Sequence, residues 1–411
     1  MLFFDLTPVD PAVDQISAFL ERTLFKRVES IPLDQAYGRK LACDIIAPES
    51  VPNFEKSTVD GYAVKADDTV GASDTIPALL LLDGQIKMGE EVITPLISGR
   101  ARKIPTGGML PPGADAAVMI EHTERLGDDI FVSRSVAPGD NTIRVGEDIT
   151  EGDIVLQKGT LLGAGQIGAL ATLSIEHVDV YRKPRFCILS TGDEIRPLGT
   201  PLKIGEVRDS NAYVLSSQIK ALGGTVVFTS LVGDDPSALH DHVARGIEET
   251  DIVLVSGGSS VGEKDFTKAT MLSFPESRLL FHGLKAKPGK PTLAATVSDT
   301  LLLGLPGHPA SCQIIFQSLM FPAFRRLGLK TSGAAPIDAI LSENCHGAPG
   351  RTTYQAVRLE KNDDGQVVCR PLRGQSGLVS LLAKADGYFV IPENEEGVYA
   401  GSLVSVQMME G

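Results

Sequence analysis

Four apolar runs between residues 183 and 328 constrain the fold of this chain more than any other feature. They are Phe186–Leu189, Thr225–Leu231, Ile252–Val255 and Leu301–Leu305. A stretch of helical character follows each run, and these stretches are Asn211–Leu222, Pro236–Glu249, Asp265–Phe274 and Pro309–Leu327. Buried strands that alternate with helices are typical of a parallel sheet covered on both faces. We therefore predict a three-layer α/β/α domain with a mostly parallel sheet over residues 183–328.

The segments around this domain have a different character. Residues 1–47 begin with a helical pattern and residues 146–182 share their αβ character, so we predict that the two form one split α+β domain. Residues 48–145 are rich in proline and glycine and hold short β-like runs, which indicates a small inserted β domain. Turn signals predict a C-terminal β-barrel over residues 331–411. The predicted fold class is therefore a multidomain α/β and β protein.

Composition excludes several classes of function. No apolar run approaches the roughly 20 residues of a membrane helix, and the first residues lack the basic segment of a signal peptide. The five cysteines are scattered without CxxC spacing, which argues against a zinc site or a disulfide framework. The net charge of −14 argues against nucleic-acid binding but permits an anionic substrate, because local charge decides that. We expect a cytoplasmic protein that binds neither membrane nor nucleic acid.

Acidic residues follow the first two strands of the predicted sheet. Ligands of open parallel sheets bind beyond the carboxyl ends of the strands, and Asp193 and Glu194 follow the first strand there. They would bind a cation or hydroxyl groups, or else cap a turn and face solvent. In the second loop we predict Asp235 as the N-cap of a helix with Pro236 at its first position, which leaves Asp234 for another role.

A glycine- and serine-rich loop, SGGSSVGEKD, follows the third strand at residues 256–265. Backbone N–H groups of such a loop converge on an anion at the positive end of the next helix. The spacing matches neither a Walker A motif nor GxGxxG. We favour phosphate or nucleotide binding here over a purely structural turn.

A lysine-rich turn and a second glycine loop complete this edge. Lys285, Lys287 and Lys290 surround a Pro-Gly turn and present several charges to an oxyanion, although such a cluster is more commonly a solvated face. The loop GLPGHPAS at residues 304–311 places Pro309 at a helix start. His308 in that loop is either a ligand or a hydrogen-bonded structural residue.

Two further motifs lie outside this domain. Asp60 belongs to the sequence STVDGYAV, and Asp148 belongs to GED. Each acid is by itself a weak signal, because a turn or a helix cap uses the same residue types.

Taken together, these segments resemble the molybdopterin molybdenumtransferase family, which comprises bacterial MoeA and the E domains of gephyrin and its plant counterpart. The resemblance runs in order over essentially the whole chain and rests on VDGYAV, PPGADAAVM, GEDI, STGDE, RDSN, GDDP, SGGSSVGEKDF, KPGKP, LPGHPAS, PGR and QSG. A full ordered set of this kind is highly specific, whereas one segment alone is weak.

The resemblance implies an enzyme that inserts molybdate into adenylylated molybdopterin with Mg²⁺-dependent release of AMP. It implies an elongated homodimer whose site lies at the subunit interface, so that Asp60 and Asp148 complete the site of the partner subunit. It also implies two kinds of partner protein, a donor of adenylylated molybdopterin and the recipient apo-molybdoenzymes.

The resemblance assigns roles to residues by motif. The functional acids would be Asp60, Asp148, Glu194, Asp234 and Asp265, of which Glu194, Asp234 and Asp265 would bind Mg²⁺. The nucleotide phosphates would lie against Gly257, Gly258, Ser259 and Gly262. Molybdate and the dithiolene would lie against Lys287, Lys290, Pro306, Pro309, Arg351 and Ser376.

The chain departs from the family pattern at the oxyanion end. His308 stands where the family has an asparagine, and Ser259 stands where it has a valine. The family lysine before KPGKP is Gly283 here, with Lys285 two residues later. Positions two apart in a strand point the same way, so we hypothesise that Lys285 takes over this role and binds the oxyanion.

These departures leave the preference between molybdate and tungstate open. A second hypothesis is a non-catalytic scaffold or cofactor carrier of the same fold, and a third is an adenylylating protein. The adenylylating proteins read GGTG in the third loop, where this chain reads GGSS, so we rank the third hypothesis lower.

Overall fold

The computed structural model of the chain describes residues 6–257, 266–329, 335–374 and 379–409. The chain divides into two compact units. The first comprises Met1–Ala42, Leu161–Gly163 and His177–Gly411, and the second comprises Cys43–Thr160 and Ala164–Glu176. The α-helices of the described residues are α1 (Val9–Leu24), α2 (Ala164–Thr172), α3 (Asn211–Ala221), α4 (Pro236–Glu249), α5 (Phe266–Met271), α6 (Pro309–Arg326) and α7 (Val379–Ala383).

A six-stranded sheet forms the centre of the first unit. From one edge to the other its strands are Thr225–Val232, Arg185–Thr191, Ile252–Ser256, Thr300–Leu305, Leu293–Val297 and Arg278–His282. The first four strands are parallel and correspond to the four apolar runs. Leu293–Val297 pairs antiparallel with both of its neighbours, and neither this strand nor the edge strand Arg278–His282 was predicted from the sequence. The prediction of a mostly parallel sheet is confirmed.

Helices cover both faces of this sheet. Phe186 and Ile188 pack in one core with residues of α1, α3 and α6, whereas Cys187 and Leu189 pack in a second core with α4 and α5. Successive residues of a strand point to opposite faces, so both sets must be apolar when both faces are covered. This double burial explains why the run at 186–189 is continuously apolar rather than alternating.

The start of α4 follows the predicted capping pattern. The side chain of Asp235 accepts a hydrogen bond from the backbone N–H of Ser237 at 2.9 Å, and Pro236 occupies the first helical turn. The carboxylate thus satisfies one of the N–H groups that lack a partner within the helix. The prediction of Asp235 as N-cap is confirmed.

Replacing Asp235 by alanine is expected to lower the free energy of unfolding by about 1 kcal/mol, because one end of α4 loses its cap. Chemical denaturation followed by circular dichroism measures this loss. Glu248→Ala, at an exposed position of the same helix, is the matched control and is expected to change stability by less than about 0.5 kcal/mol. An equal effect of both substitutions would contradict the capping role.

A closed five-stranded barrel follows the central sheet in the chain. Around the barrel the strands are Thr352–Lys361, Val367–Pro371, Ile337–Leu341, Leu403–Met408 and Gly387–Ile391, and the last pairs with the first again. Ala286–Lys287 adds to it in parallel, with Lys287 beside Thr353. The predicted C-terminal β-barrel is confirmed, and its first strand is joined directly to the lysine-rich turn.

Short strand pairs complete the first unit. Val28–Pro32 pairs with His177–Tyr181, Ile195–Arg196 with Val207–Arg208, and Cys345–His346 with Gly397–Val398. The predicted domain bounds stay a prediction, although α1 packs against α6 within this unit.

The second unit is built on a six-stranded mixed sheet. In order, its strands are Ala116–Met119, Gly61–Val64, Arg100–Ile104, Ala78–Gln85, Asp129–Val132 and Thr123–Leu126. Two small pairs join Lys56–Ser57 to Thr142–Ile143 and Ile45–Ile46 to Ile154–Leu156. Tyr62, Val64 and Leu80 lie in its core. The β character predicted for this part of the chain is confirmed.

All five cysteines are free thiols, and four of them are buried. Burial raises the pKa of the Cys187 thiol to about 11 and that of Cys312 to about 12. Both groups therefore stay protonated at neutral pH and are poor nucleophiles. None of the helices in the described part of the chain combines the length and apolar character that a bilayer crossing requires.

Candidate active site

A cavity of about 1660 Å³ lies in the first unit at the carboxyl ends of the parallel strands. Its walls come from the loops that follow those strands, from the lysine-rich turn and from the barrel. Eight of the residues proposed from the sequence line it together: Glu194, Asp234, Gly257, Lys287, Lys290, Pro306, Pro309 and Arg351. The cavity therefore gathers residues that are up to 157 positions apart in the chain, from Glu194 to Arg351.

The carboxylates of Glu194 and Asp234 line this cavity, and each follows one of two neighbouring strands of the sheet. Asp193 does not belong to its lining, but its Oδ1 accepts a hydrogen bond from the backbone N–H of Asp234 at 3.0 Å. This bond ties the loop of the second strand to that of the first. A Cβ built on Gly192 would lie 2.7 Å from Glu194 Oε2, so the Glu194 carboxylate folds over a position that only glycine fits.

Glycine is also required where the first and third strands end. Gly257 has a φ of +104°, and a Cβ there would lie 2.5 Å from the carbonyl oxygen of Thr191. A Cβ on Gly307 would lie 3.4 Å from the Cα of Gly257. The backbones of three strand-end loops thus approach closely, and a side chain at Gly257 would disrupt this packing.

Asn211 joins two of these loops. Its Nδ2 donates hydrogen bonds to Ser256 Oγ at 2.6 Å and to the carbonyl oxygen of Gly307 at 2.8 Å. Asn211 is 7% exposed, it lines the cavity, and its Oδ1 is buried without a hydrogen-bond partner. The sequence predicted Asn211 as the start of a helix and RDSN as one of the family motifs, but it did not predict this bridge, because the loops that Asn211 joins lie far away in the chain.

Replacing Asn211 by alanine is expected to lower the free energy of unfolding by about 1–3 kcal/mol, because two buried acceptors lose their donor. Asn211→Asp keeps the shape but places a carboxylate oxygen against the Gly307 carbonyl, so it should destabilise at least as much. Denaturation of the three proteins measures both effects. Unchanged stability in Asn211→Ala would show that the bridge does not hold the loops.

Positive groups line the barrel side of the same cavity. Besides Lys287, Lys290 and Arg351, the lining includes the guanidinium of Arg373, and it also includes the imidazole of His346; neither residue was selected from the sequence. Arg373 also donates to Glu343 Oε2 at 2.6 Å, which fixes its direction. His346 lies on the short strand Cys345–His346, and Arg373 follows the barrel strand Val367–Pro371. The expectation that ligands bind at the carboxyl ends of parallel strands does not apply to either segment.

Glu206, another acid of the cavity lining, has two strong partners. The backbone N–H of Lys203 donates to Glu206 Oε2 at 2.8 Å, and Arg196 Nη2 lies 2.9 Å from Glu206 Oε1. The Lys203 N–H bond and then the charge of Arg196 hold the pKa of Glu206 below its usual range. Glu206 is therefore an anion at neutral pH whose charge is compensated by Arg196.

The donor set fits a divalent cation in part. Glu194 and Asp234 supply oxygen ligands of the kind that Mg²⁺ prefers. Within residues 6–257, 266–329, 335–374 and 379–409, no group of three His, Cys, Asp or Glu side chains is close enough to hold a metal. The third predicted ligand, Asp265, lies outside the described residues, as do Gly258, Ser259, Gly262 and Ser376.

Comparisons with known proteins cover nearly the whole chain. Family models for the MoeA N-terminal region (domains I and II), a probable molybdopterin binding domain and the MoeA C-terminal region (domain IV) match residues 7–174, 187–326 and 338–409. The chain is 33% identical over 406 residues to a putative molybdopterin biosynthesis protein of Methanocaldococcus jannaschii, covering 97% of this chain and 96% of that protein. The chain belongs to the MoeA family.

Further MoeA relatives agree in sequence and in structure. Molybdopterin molybdenumtransferases of Haemophilus influenzae and Bacillus subtilis are 33% and 31% identical to the chain over 95% and 98% of its length, covering 96% and 94% of their own. Two crystal structures of MoeA proteins from Pyrococcus horikoshii superpose with TM-scores of 0.83 and 0.80 at 33% and 29% identity. They cover 99% and 98% of this chain and 100% of each of those chains. The family resemblance inferred from the motifs is confirmed.

Three of the predicted site residues with described positions do not line this cavity. Lys285 is not among its lining residues, and its Nζ lies 3.9 Å from Glu393 Oε2. Asp60 and Asp148 belong to the second unit, where both are exposed. Asp60 Oδ1 accepts a hydrogen bond from the backbone N–H of Thr106 at 2.8 Å. His308, by contrast, is the N-cap residue of α6 and lines the cavity.

Proposed function

We propose that this MoeA-family enzyme is a molybdopterin molybdenumtransferase that inserts molybdate into adenylylated molybdopterin, with Mg²⁺-dependent release of AMP. The transferase activity in molybdenum cofactor biosynthesis rests on full-length relatives of that name. The observation that carries the finer proposal is the cavity, which brings lysines, an arginine and two strand-end carboxylates into one space. We further propose that the protein works in the cytoplasm.

The charge distribution of the cavity suits this chemistry. Molybdate, the ene-dithiolate and the phosphate link of the adenylylated pterin are all anionic, so bringing them together requires positive groups. Lys287, Lys290 and Arg351 supply such groups in the cavity wall, where positive charge stabilises bound anions. We therefore propose that the oxyanion binds at this end of the cavity.

The carboxylates suit the phosphate end. Glu194 and Asp234 would hold Mg²⁺, which when bound supplies positive charge to phosphate oxygens. Gly257, at the end of the third strand, begins the loop whose N–H groups would face the nucleotide phosphates. AMP leaves when water attacks the phosphate link, so the carboxylates and the loop must orient that link.

We propose a homodimer as the working form. The proposal rests on the family resemblance and on the exposure of Asp60 and Asp148, which leaves both carboxylates accessible to a second copy. The donor of adenylylated molybdopterin and the recipient apo-enzymes would then be transient partners of the same assembly.

Release of AMP tests the proposed function. Purified protein is given adenylylated molybdopterin and Mg²⁺ with molybdate, with tungstate or with neither anion. We expect release only when an oxyanion is present, and the more effective anion identifies the preferred metal. Absence of release with either anion, despite bound substrate, would contradict the enzymatic proposal and favour the scaffold hypothesis.

A further inference from the structure

Lys285 lies beside the cavity without lining it, and its backbone is fixed on both sides. Its N–H donates to the carbonyl oxygen of Thr7 at 2.9 Å, and its carbonyl oxygen accepts from the N–H of Thr352 at 2.8 Å. Thr352 directly follows Arg351, which lines the cavity. The Lys285 main chain therefore holds Thr352, the residue that follows Arg351.

The side chain of Lys285 lies near Glu393, which accepts a hydrogen bond from the residue before Arg351. Its Nζ lies 3.9 Å from Glu393 Oε2, a buried oxygen with no hydrogen-bond partner. The carbonyl oxygen of Glu393 accepts a hydrogen bond from the N–H of Gly350 at 3.1 Å. Gly350 directly precedes Arg351 and has a φ of +68°, so its conformation sets the direction in which the chain enters the arginine.

We propose that Lys285 is a positioning residue for Arg351 and that Glu393 is its partner, rather than Lys285 being a ligand of the oxyanion. One oxygen of the Glu393 carboxylate is shielded from solvent without a hydrogen-bond partner, although the Glu393 side chain as a whole is 40% exposed, and Lys285 Nζ is a cation within 4 Å of that oxygen. The pair holds the Glu393 turn against the segment before Arg351. The lysine of this chain thus has a structural partner in place of the role that its spacing suggested.

The inference concerns the site of the proposed function and rests on it for its kinetic readout. A direct ligand and a positioning residue respond differently to charge exchange. If Lys285 binds the anion, a negative charge at position 285 is harmful whatever residue occupies position 393. If Lys285 positions Arg351 through Glu393, the exchanged pair Lys285→Glu with Glu393→Lys restores the attraction and hence the geometry.

The experiment compares Lys285→Glu, Glu393→Lys and the exchanged double variant. Binding of tungstate by calorimetry and the KM for molybdate in AMP release are measured for each. We expect the single variants to weaken anion binding about tenfold, because like charges then face each other beside the buried oxygen. We expect the double variant to return to within about threefold of the parent protein.

A matched control applies the same exchange to a lysine of the cavity wall. Lys287→Glu with Glu393→Lys is expected to stay at least as impaired as Lys287→Glu alone, because Lys287 lines the cavity. Failure of the Lys285/Glu393 exchange to restore binding would overturn the positioning role.

A second readout separates this inference from the proposed function. Unfolding of the two single variants and the double variant gives a coupling between positions 285 and 393 that needs no substrate. If neither the parent protein nor any variant releases AMP but the coupling is present, the enzymatic proposal fails while the pair stands. If the coupling is absent, the pair fails regardless of activity.

Discussion

Replacing both Lys287 and Lys290 by alanine is expected to weaken the binding of molybdate or tungstate by about a hundredfold to ten-thousandfold. Both side chains belong to the cavity wall, and hydrogen bonds to charged groups contribute about 1.5–3 kcal/mol each. Calorimetric titration of the oxyanion into the parent and the variant measures the loss. The affinity of the parent should also fall with ionic strength, because the attraction is electrostatic.

A matched double variant controls for net charge. Lys361→Ala with Lys384→Ala removes two exposed lysines of the barrel region that do not line the cavity. Its affinity is expected to stay within about threefold of the parent, because exposed charges at a distance are screened. Equal losses in the two double variants would show that the chain attracts the anion by overall charge and not at this site.

Replacing Gly289 by alanine is expected to lower the free energy of unfolding by about 2–4 kcal/mol and to reduce anion binding as well. Gly289 lies between the two lysines, has a φ of +113°, and a Cβ there would overlap with Cδ1 and Cγ1 of Ile315. Ile315 is fully buried in α6, so neither side can yield easily. Denaturation and oxyanion titration of the variant check both effects.

Replacing Gly365, which has open space around it, is a control that separates the effect of a steric clash from the effect of backbone strain. Gly365 has a φ of +77°, and no atom lies within 4 Å of a Cβ built there. Gly365→Ala should therefore cost only the strain of an alanine at positive φ, about 1–2 kcal/mol, and leave anion binding unchanged. If Gly289→Ala were no more harmful than Gly365→Ala, the close packing of the turn on α6 would not fix the lysines.

The central sheet was predictable because its signals are local. Residues on both faces of the strand at Arg185–Thr191 are buried, so its apolar run is visible in the sequence without knowledge of neighbours. The same holds for Asp235, whose capping bond reaches only two residues along the chain. The edge strand Arg278–His282 was not predicted, because it is partly exposed and has polar residues at both ends.

The barrel side of the cavity wall depends on an arrangement that no local signal contains. The strand-end rule selected Glu194, Asp234 and Gly257, and the structure brings all three to one cavity. His346 and Arg373 face the same cavity only because the barrel joins the turn at Ala286–Lys287. Their positions follow from long-range strand pairing.

The hypothesis that Lys285 binds the oxyanion rests on the alternation of side-chain directions along a strand. Positions two apart share a direction only within a regular strand, and the strand here spans no more than Ala286–Lys287. Lys287 lines the cavity, whereas Lys285 pairs with Glu393.

The position of a bound tungstate ion tests the central claim most directly. Tungsten scatters X-rays anomalously, so an anomalous difference map from crystals grown with tungstate locates the ion without reference to any assumed pose. We predict one dominant peak within hydrogen-bonding reach of Lys287, Lys290 and Arg351, and its loss in the Lys287→Ala, Lys290→Ala double variant. A dominant peak elsewhere, unaffected by those substitutions, would contradict the assignment of this cavity as the site of oxyanion insertion.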